Sequence, residues 1–158
     1  HCRRIKMPEK MPKYRSVGEV FEHLKKLSKN AEKIELLQIN ASPALYYLLK
    51  LALNDVKWLL PDGAPPFRQD IGAIGMNPST LLKELRTLYL YLEGGNDALK
   101  QLRREQLFKQ FLERLHKDES ALILAIKDKQ FAKTYKCTKA LVDQAFPGLL
   151  DLPFKPNF

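Results

Sequence analysis

Residues 42–54 read SPALYYLLKLALN, in which Lys50 is the only charged side chain. Ser42 is the expected cap of a helix here. Pro43 falls in its first turn, where a missing N–H costs nothing. A helix apolar nearly all round cannot rest on a surface and has to be enclosed on every side. The rest of the chain therefore has to supply amphipathic elements to pack around it, and that requirement constrains the fold most.

Those elements can be read from the helical period. In "SVGEVFEHLKKLS", Ser16 and Glu19 form a capping box, and Val17, Val20, Phe21, Leu24 and Leu27 recur on one face. A short second helix follows Asn30, with Ile34, Leu36 and Leu37 inward. The central helix is expected to run one turn further, through "DVKWLL", to Pro61. A fourth helix opens at Asn77-Pro78 and carries Leu81, Leu82, Leu85, Leu88, Tyr89 and Leu92 until Gly94-Gly95 ends it. Asn96 is the expected cap of a fifth, with Leu107, Phe108, Phe111, Leu112 and Leu115 inward. Asp118 would cap a sixth, "ESALILAIKDK". Thr138 would cap a seventh, "KALVDQAF", which Pro147-Gly148 stops. No stretch alternates with period two for long enough to require a strand. The expectation is an all-α fold: residues 16–158 as a single compact domain of about seven helices, after an extended basic arm at 1–15. The connection 61–77, rich in proline and glycine, is expected to be pinned to the core by its prolines, Phe67 and Ile74.

The 158 residues suffice for one domain with a real core. Cys2 and Cys137 make no disulfide framework and cannot complete a four-ligand zinc site. His1, His23 and His116 lack metal-ligand spacing, so no cofactor is expected and a reduced cytoplasmic setting is the simpler reading. No apolar run approaches the roughly 20 residues that span a bilayer. The charged, proline-broken start does not read as a secretory signal either.

Glycine-rich phosphate loops, dinucleotide fingerprints, nucleophile elbows and zinc-protease helices are all missing from the sequence. Lys136 and Lys139 would favour a thiolate at Cys137, but no histidine base is matched to it. A non-catalytic protein is expected. The net charge of +9 is unevenly placed. Residues 1–15 hold six Lys/Arg against Glu9 alone, and residues 98–139 hold eleven against five Asp/Glu. Such clustering suits an acidic partner, most simply nucleic acid; a solubilising surface is the plainer alternative. The candidate contacts are Lys100, Arg103 and Arg104 on the fifth helix, then Lys127, Lys129, Lys133, Lys136 and Lys139. With only Phe131 and Tyr135 interleaved to stack bases, a duplex backbone is the better-matched ligand. That reading needs the lysines of 127–139 to share a face with Lys100, Arg103 and Arg104.

The order "LRREQLFKQFLERL", a helix ending in Lys-Asp, a lysine-rich turn and "LVDQAFPGLL" resembles the end of the all-helical N-terminal DNA-binding domain of T-even-type phage ATP-dependent DNA ligases. Nearly all of 16–150, including "SPALYYLLKLALNDVKWLLPDGAPPF", "LYLYLEGGNDALKQLRREQLFKQFLERLH" and "AIKDK…AFPGLL", resembles a family of small stand-alone proteins of T-even-type tailed phages. The first likeness implies a domain gripping duplex DNA, with Lys127, Lys129, Lys133, Lys136 and Lys139 near phosphates. The Lys-x-Asp-Gly of ligases is absent, which excludes ligation, and "QFAKTYKC" stands where the ligase turn has glycine. The second likeness implies a phage-encoded protein of the host cytoplasm or the virion. Its alternative role is a protein–protein module that binds a phage or host protein.

Overall fold

The computed structural model describes residues 11–67 and 81–158. In chain order these form α1 (Val17–Leu24), α2 (Asn30–Ile39), α3 (Pro43–Leu53) and α4 (Leu81–Glu84), which runs on as a 3-10 helix, Leu85–Tyr91. Then come α5 (Gln101–Arg114), α6 (Lys117–Lys127), α7 (Phe131–Tyr135), α8 (Lys139–Ala145) and a 3-10 turn, Leu149–Asp151. The fold is all-α, as its periodicity requires. Among the described residues the one β-type pairing is an isolated bridge between Trp58 and Leu92.

The central helix is α3, started by Ser42 Oγ accepting from Leu45 N–H at 3.1 Å. Leu45, Leu48, Leu49 and Leu51 are all fully enclosed, with α6, α7 and the closing 3-10 turn as neighbours. Each such side chain contributes about 1.5–3 kcal/mol through burial. Around this helix α1 turns Val20, Phe21 and Leu24 inward and packs on α6. Gly18 permits that approach, since a Cβ there would lie 2.7 Å from Glu119 Cγ. Ser16 Oγ accepts from Glu19 N–H, which is the serine half of the expected box.

Several elements depart from the sequence reading. Helix α3 does not continue past Leu53. Asn54 is extended, and the backbone of 57–59 instead pairs with 91–93, through Leu59 N–H to Tyr91 O (2.8 Å) and Glu93 N–H to Lys57 O (2.9 Å). The buried–exposed–buried order of Val56, Lys57 and Trp58 suits that extended path. The start of the fourth helix at Asn77-Pro78 lies outside the described residues. Beyond Glu84 it tightens to three residues per turn, which aligns the buried Leu85, Leu88 and Tyr91 on one edge. Helix α5 begins at Gln101, because Lys100 before it is extended, and the carbonyls of Asn96 and Leu99 are bonded by the Arg104 side chain. Asp118 sits inside the first turn of α6 and is not its cap. Helix α7 occupies what reads in sequence as a lysine-rich turn, so the described helices number eight.

The described end of the basic arm is held in place. Asn40 accepts from Tyr14 N–H (2.8 Å) and donates to Pro12 O (2.9 Å), while Tyr14 OH meets His23 Nδ1 at 2.9 Å. In the 61–77 connection, Phe67 packs on the core as expected, and Ile74 lies outside the described residues.

Burial pushes the Cys137 thiol from 9.0 up to about 12 and raises the phenols of Tyr47, Tyr91 and Tyr135. A raised acid pKa means that the folded chain keeps protons that the unfolded chain loses. The associated stability is complete below pH 9 and declines as pH climbs toward the folded values. Urea midpoints should accordingly be flat from pH 7 to 8 and fall progressively above about 9. A midpoint that holds steady up to pH 11 would contradict this burial.

Candidate functional site

The basic residues singled out by sequence separate into two kinds. Arg104 is buried, with Nε on Leu90 O (3.0 Å), Nη1 on Gln101 Oε1 (2.6 Å) and Nη2 on Asn96 O and Leu99 O (3.0 and 3.1 Å). It pins the 92–100 connection onto α5. Lys127 is buried as well, donating to Pro61 O (2.8 Å), Gly63 O (3.1 Å) and Asp128 Oδ1. It fastens the start of the 61–67 segment to the end of α6. Lys129 has a positive φ of 61° and donates from Nζ to Val56 O at 2.6 Å. All three cations hold carbonyls of their own chain; Arg104 and Lys127 are enclosed and not presented to a partner, whereas Lys129 is exposed. Lys100, Arg103, Lys129, Lys133, Lys136 and Lys139 stand exposed, Lys129 with its Nζ engaged on Val56 O.

The exposed six stand on different elements. Lys100 and Arg103 stand at the start of α5, which packs on the 85–91 helix and reaches Leu59 O through Gln101. Lys133 lies on α7, Lys136 follows it, and Lys139 opens α8; these helices pack on α1, α2 and α3. The structure gives the two groups different neighbours.

The second group meets lysines that the sequence reading passed over. Phe131 and Tyr135 of α7 are buried against Phe21 of α1, at ring separations of 5.5 and 5.9 Å. Lys25, the C-cap residue of α1, places its ammonium 5.6 Å from the Tyr135 ring centre. Lys33 of α2 donates to Lys136 O at 3.0 Å. Lys25 and Lys33 thus bracket residues 135–136, and the exposed Lys26 and Lys29 lie on the connection between them. Glu22 answers Lys25 at 2.9 Å, leaving Lys26, Lys29, Lys133, Lys136 and Lys139 as the exposed cations of this corner. Lys136 itself is left-handed, at φ 53°, ψ 43°. A side chain there costs about 1 kcal/mol more than glycine, and the Lys33 bond to its carbonyl helps offset that. The overlooked signal was "HLKKLSKN", three lysines straddling a helix end in a part of the chain that is otherwise near neutral.

Two other groups bear on chemistry. Cys137 is fully enclosed, and burial raises its thiol despite the opposing charge of Lys33. It is therefore a core thiol. Alkylation at pH 8 should be at least tenfold slower in the folded chain than in urea, and equal rates would overturn that assignment. Glu119 is buried at the start of α6, with Oε2 accepting from Leu81 N–H at 3.2 Å. Burial raises its pKa, partly countered by the backbone N–H groups of Leu81 and His116. It ties α4 to α6. Among the described residues no three His, Cys, Asp or Glu side chains gather in a metal-binding group. No described helix is long and apolar enough to cross a membrane.

Residues 20–133 match a family of unknown function, DUF6433. No curated protein matches the chain, and no solved structure does.

Proposed function

This chain belongs to the DUF6433 family, and on that premise we propose that it is a non-catalytic protein that binds nucleic acid by its phosphate backbone. The observation that carries the reading is that Lys25 over the Tyr135 ring and Lys33 on Lys136 O bring the α1–α2 connection, with its exposed Lys26 and Lys29, beside the exposed Lys136 that ends α7. Lysines act as point charges toward phosphate and carry no base information, so the binding is indifferent to sequence. The aromatic rings beside them are buried in the core and not offered for stacking, which favours duplex over single strands. The likeness of the C-terminal third to phage ligase DNA-binding domains supports duplex DNA as the form, in a phage-encoded protein of the host cytoplasm.

Random duplex is the probe. With roughly five phosphate contacts, affinity should fall by about two to three orders of magnitude between about 50 and 200 mM salt. Replacing Lys133, Lys136 and Lys139 together by glutamine should flatten the log–log salt slope by about three contacts, at little cost in stability. The pair Lys100→Gln and Arg103→Gln is the control, and should leave the slope nearly unchanged. No binding at low salt would sink the proposal. A larger effect from the control pair would move the interface to α5.

A further inference from the structure

Residues 152–158, LPFKPNF, lie across the outer face of α3. Leu152 has φ −72°, ψ 141°, the polyproline II conformation, and Pro153 and Pro156 are spaced by the three residues of one polyproline turn. Both proline carbonyls are engaged by α3: Lys50 Nζ donates to Pro153 O at 2.9 Å, and Tyr47 OH donates to Pro156 O at 2.8 Å. Tyr47 and Lys50 are three apart on one helix face, so the segment runs antiparallel to α3. The Tyr47 ring lies 5.2 Å from Phe154 and 5.3 Å from Phe158. The segment and the helix together enclose a groove of about 600 Å³, with Pro43, Tyr46, Tyr47, Lys50 and Leu149 on one side and residues 152–155, 157 and 158 on the other.

The two sides of this contact are unequal. Tyr47 is 8% exposed, but Leu152 and Phe158 remain 55% and 45% exposed, and Pro153, Lys155 and Asn157 are exposed too. The segment rests on α3 as a ligand rests on a site, through two hydrogen bonds and two ring contacts. The chemistry is matched as well. A proline-rich strand lacks many N–H donors and offers carbonyl acceptors, and the groove supplies two donors flanked by aromatic rings.

We propose that the α3 face formed by Tyr46, Tyr47 and Lys50 is a docking site for an extended Pro-aromatic-x-Pro segment of a partner protein, and that residues 152–158 are its resident occupant, displaced when the partner binds. The resident segment is tethered beside its site at an effective concentration on the order of millimolar, so a free peptide competes poorly with it. Weakening the resident should therefore strengthen binding in trans. This site uses neither the lysines around Tyr135 nor nucleic acid, and it stands or falls separately from that reading.

A fluorescent peptide of sequence LPFKPNF, titrated with the full chain, is the test. Wild-type protein should bind it weakly, and the Phe154→Ala/Phe158→Ala double variant at least tenfold more tightly. Adding Tyr47→Phe and Lys50→Ala to that variant should lose the gain. Equal binding by wild type and the double variant, with helical circular dichroism intact, would overturn the proposal. Should the double variant not fold, millimolar peptide added to wild type should still shift the ring resonances of Tyr46 and Tyr47 and leave those of Tyr91 in place. Unmoved Tyr46 and Tyr47 would likewise overturn it. A wild-type dimer that dissociates on Phe154→Ala/Phe158→Ala would assign the groove to a second copy and overturn the partner reading.

Discussion

Arg104→Ala should destabilise the fold by about 3–5 kcal/mol, whereas its neighbour Arg103→Ala should change stability by less than about 0.5 kcal/mol. The contrast follows from position on α5. Arg103 is exposed, while the Arg104 guanidinium is enclosed and distributes its N–H groups over the Leu90, Asn96 and Leu99 carbonyls and the Gln101 side chain. Alanine would leave the Leu90 and Leu99 carbonyls without that donor, Asn96 O with only the Leu99 N–H, and free the 92–100 connection from the helix. Each orphaned buried acceptor costs about 1–3 kcal/mol, and hydrogen bonds to a charged group are stronger than neutral ones. Arg104→Lys should recover only part of the loss, because one ammonium cannot span carbonyls that a planar fork reaches together. Urea denaturation of the three variants is the measurement. If Arg104→Ala were as mild as Arg103→Ala, the guanidinium would not be holding the connection.

That pair also shows what the sequence could and could not disclose. Arg103 and Arg104 look alike as adjacent cations before an apolar run. Position 104, however, shares the stripe of Phe108, Phe111 and Leu115, at spacings of 4, 7 and 11. Carried back one turn, the period places Arg104 inside, and the charge alone obscured this. Lys127 follows the same logic, one turn beyond the buried Ile123. Helices α1, α3 and α8 were legible because their caps and stripes agree: Ser16, Ser42 and Thr138 each accept from the backbone N–H three residues on. Helix α7 was not legible, since five residues give only Phe131 and Tyr135 as one i,i+4 pair. The docking of α7 beside the α1–α2 connection was the least legible feature. It depends on α7 docking against Phe21, more than a hundred residues earlier, which no local pattern encodes.

Phe131→Ala is expected to cost about 3–5 kcal/mol and to weaken nucleic-acid binding without removing any charge. A five-residue helix has no stability of its own. What holds α7 is the Phe131 ring, fully enclosed, edge-on to Phe21 at 5.5 Å and stacked on Tyr135 at 5.3 Å. Alanine leaves a cavity at this junction and loosens the grip on Tyr135, and so on the Lys25 and Lys33 contacts beside it. Lys133 and Lys136 would then move independently of Lys26 and Lys29, and bringing them to phosphates together would carry an entropic cost. Phe131→Leu, which keeps most of the volume, should retain both stability and binding to within about 1.5 kcal/mol. The comparison is best made by duplex titration at low temperature, where the alanine variant stays folded, alongside Lys133→Gln. The lysine variant should lose affinity at nearly constant stability. The phenylalanine variant should lose both at constant net charge. Should Phe131→Ala bind duplex as tightly as wild type while measurably destabilised, net charge alone would account for binding, and the arrangement around Tyr135 would have no part in it.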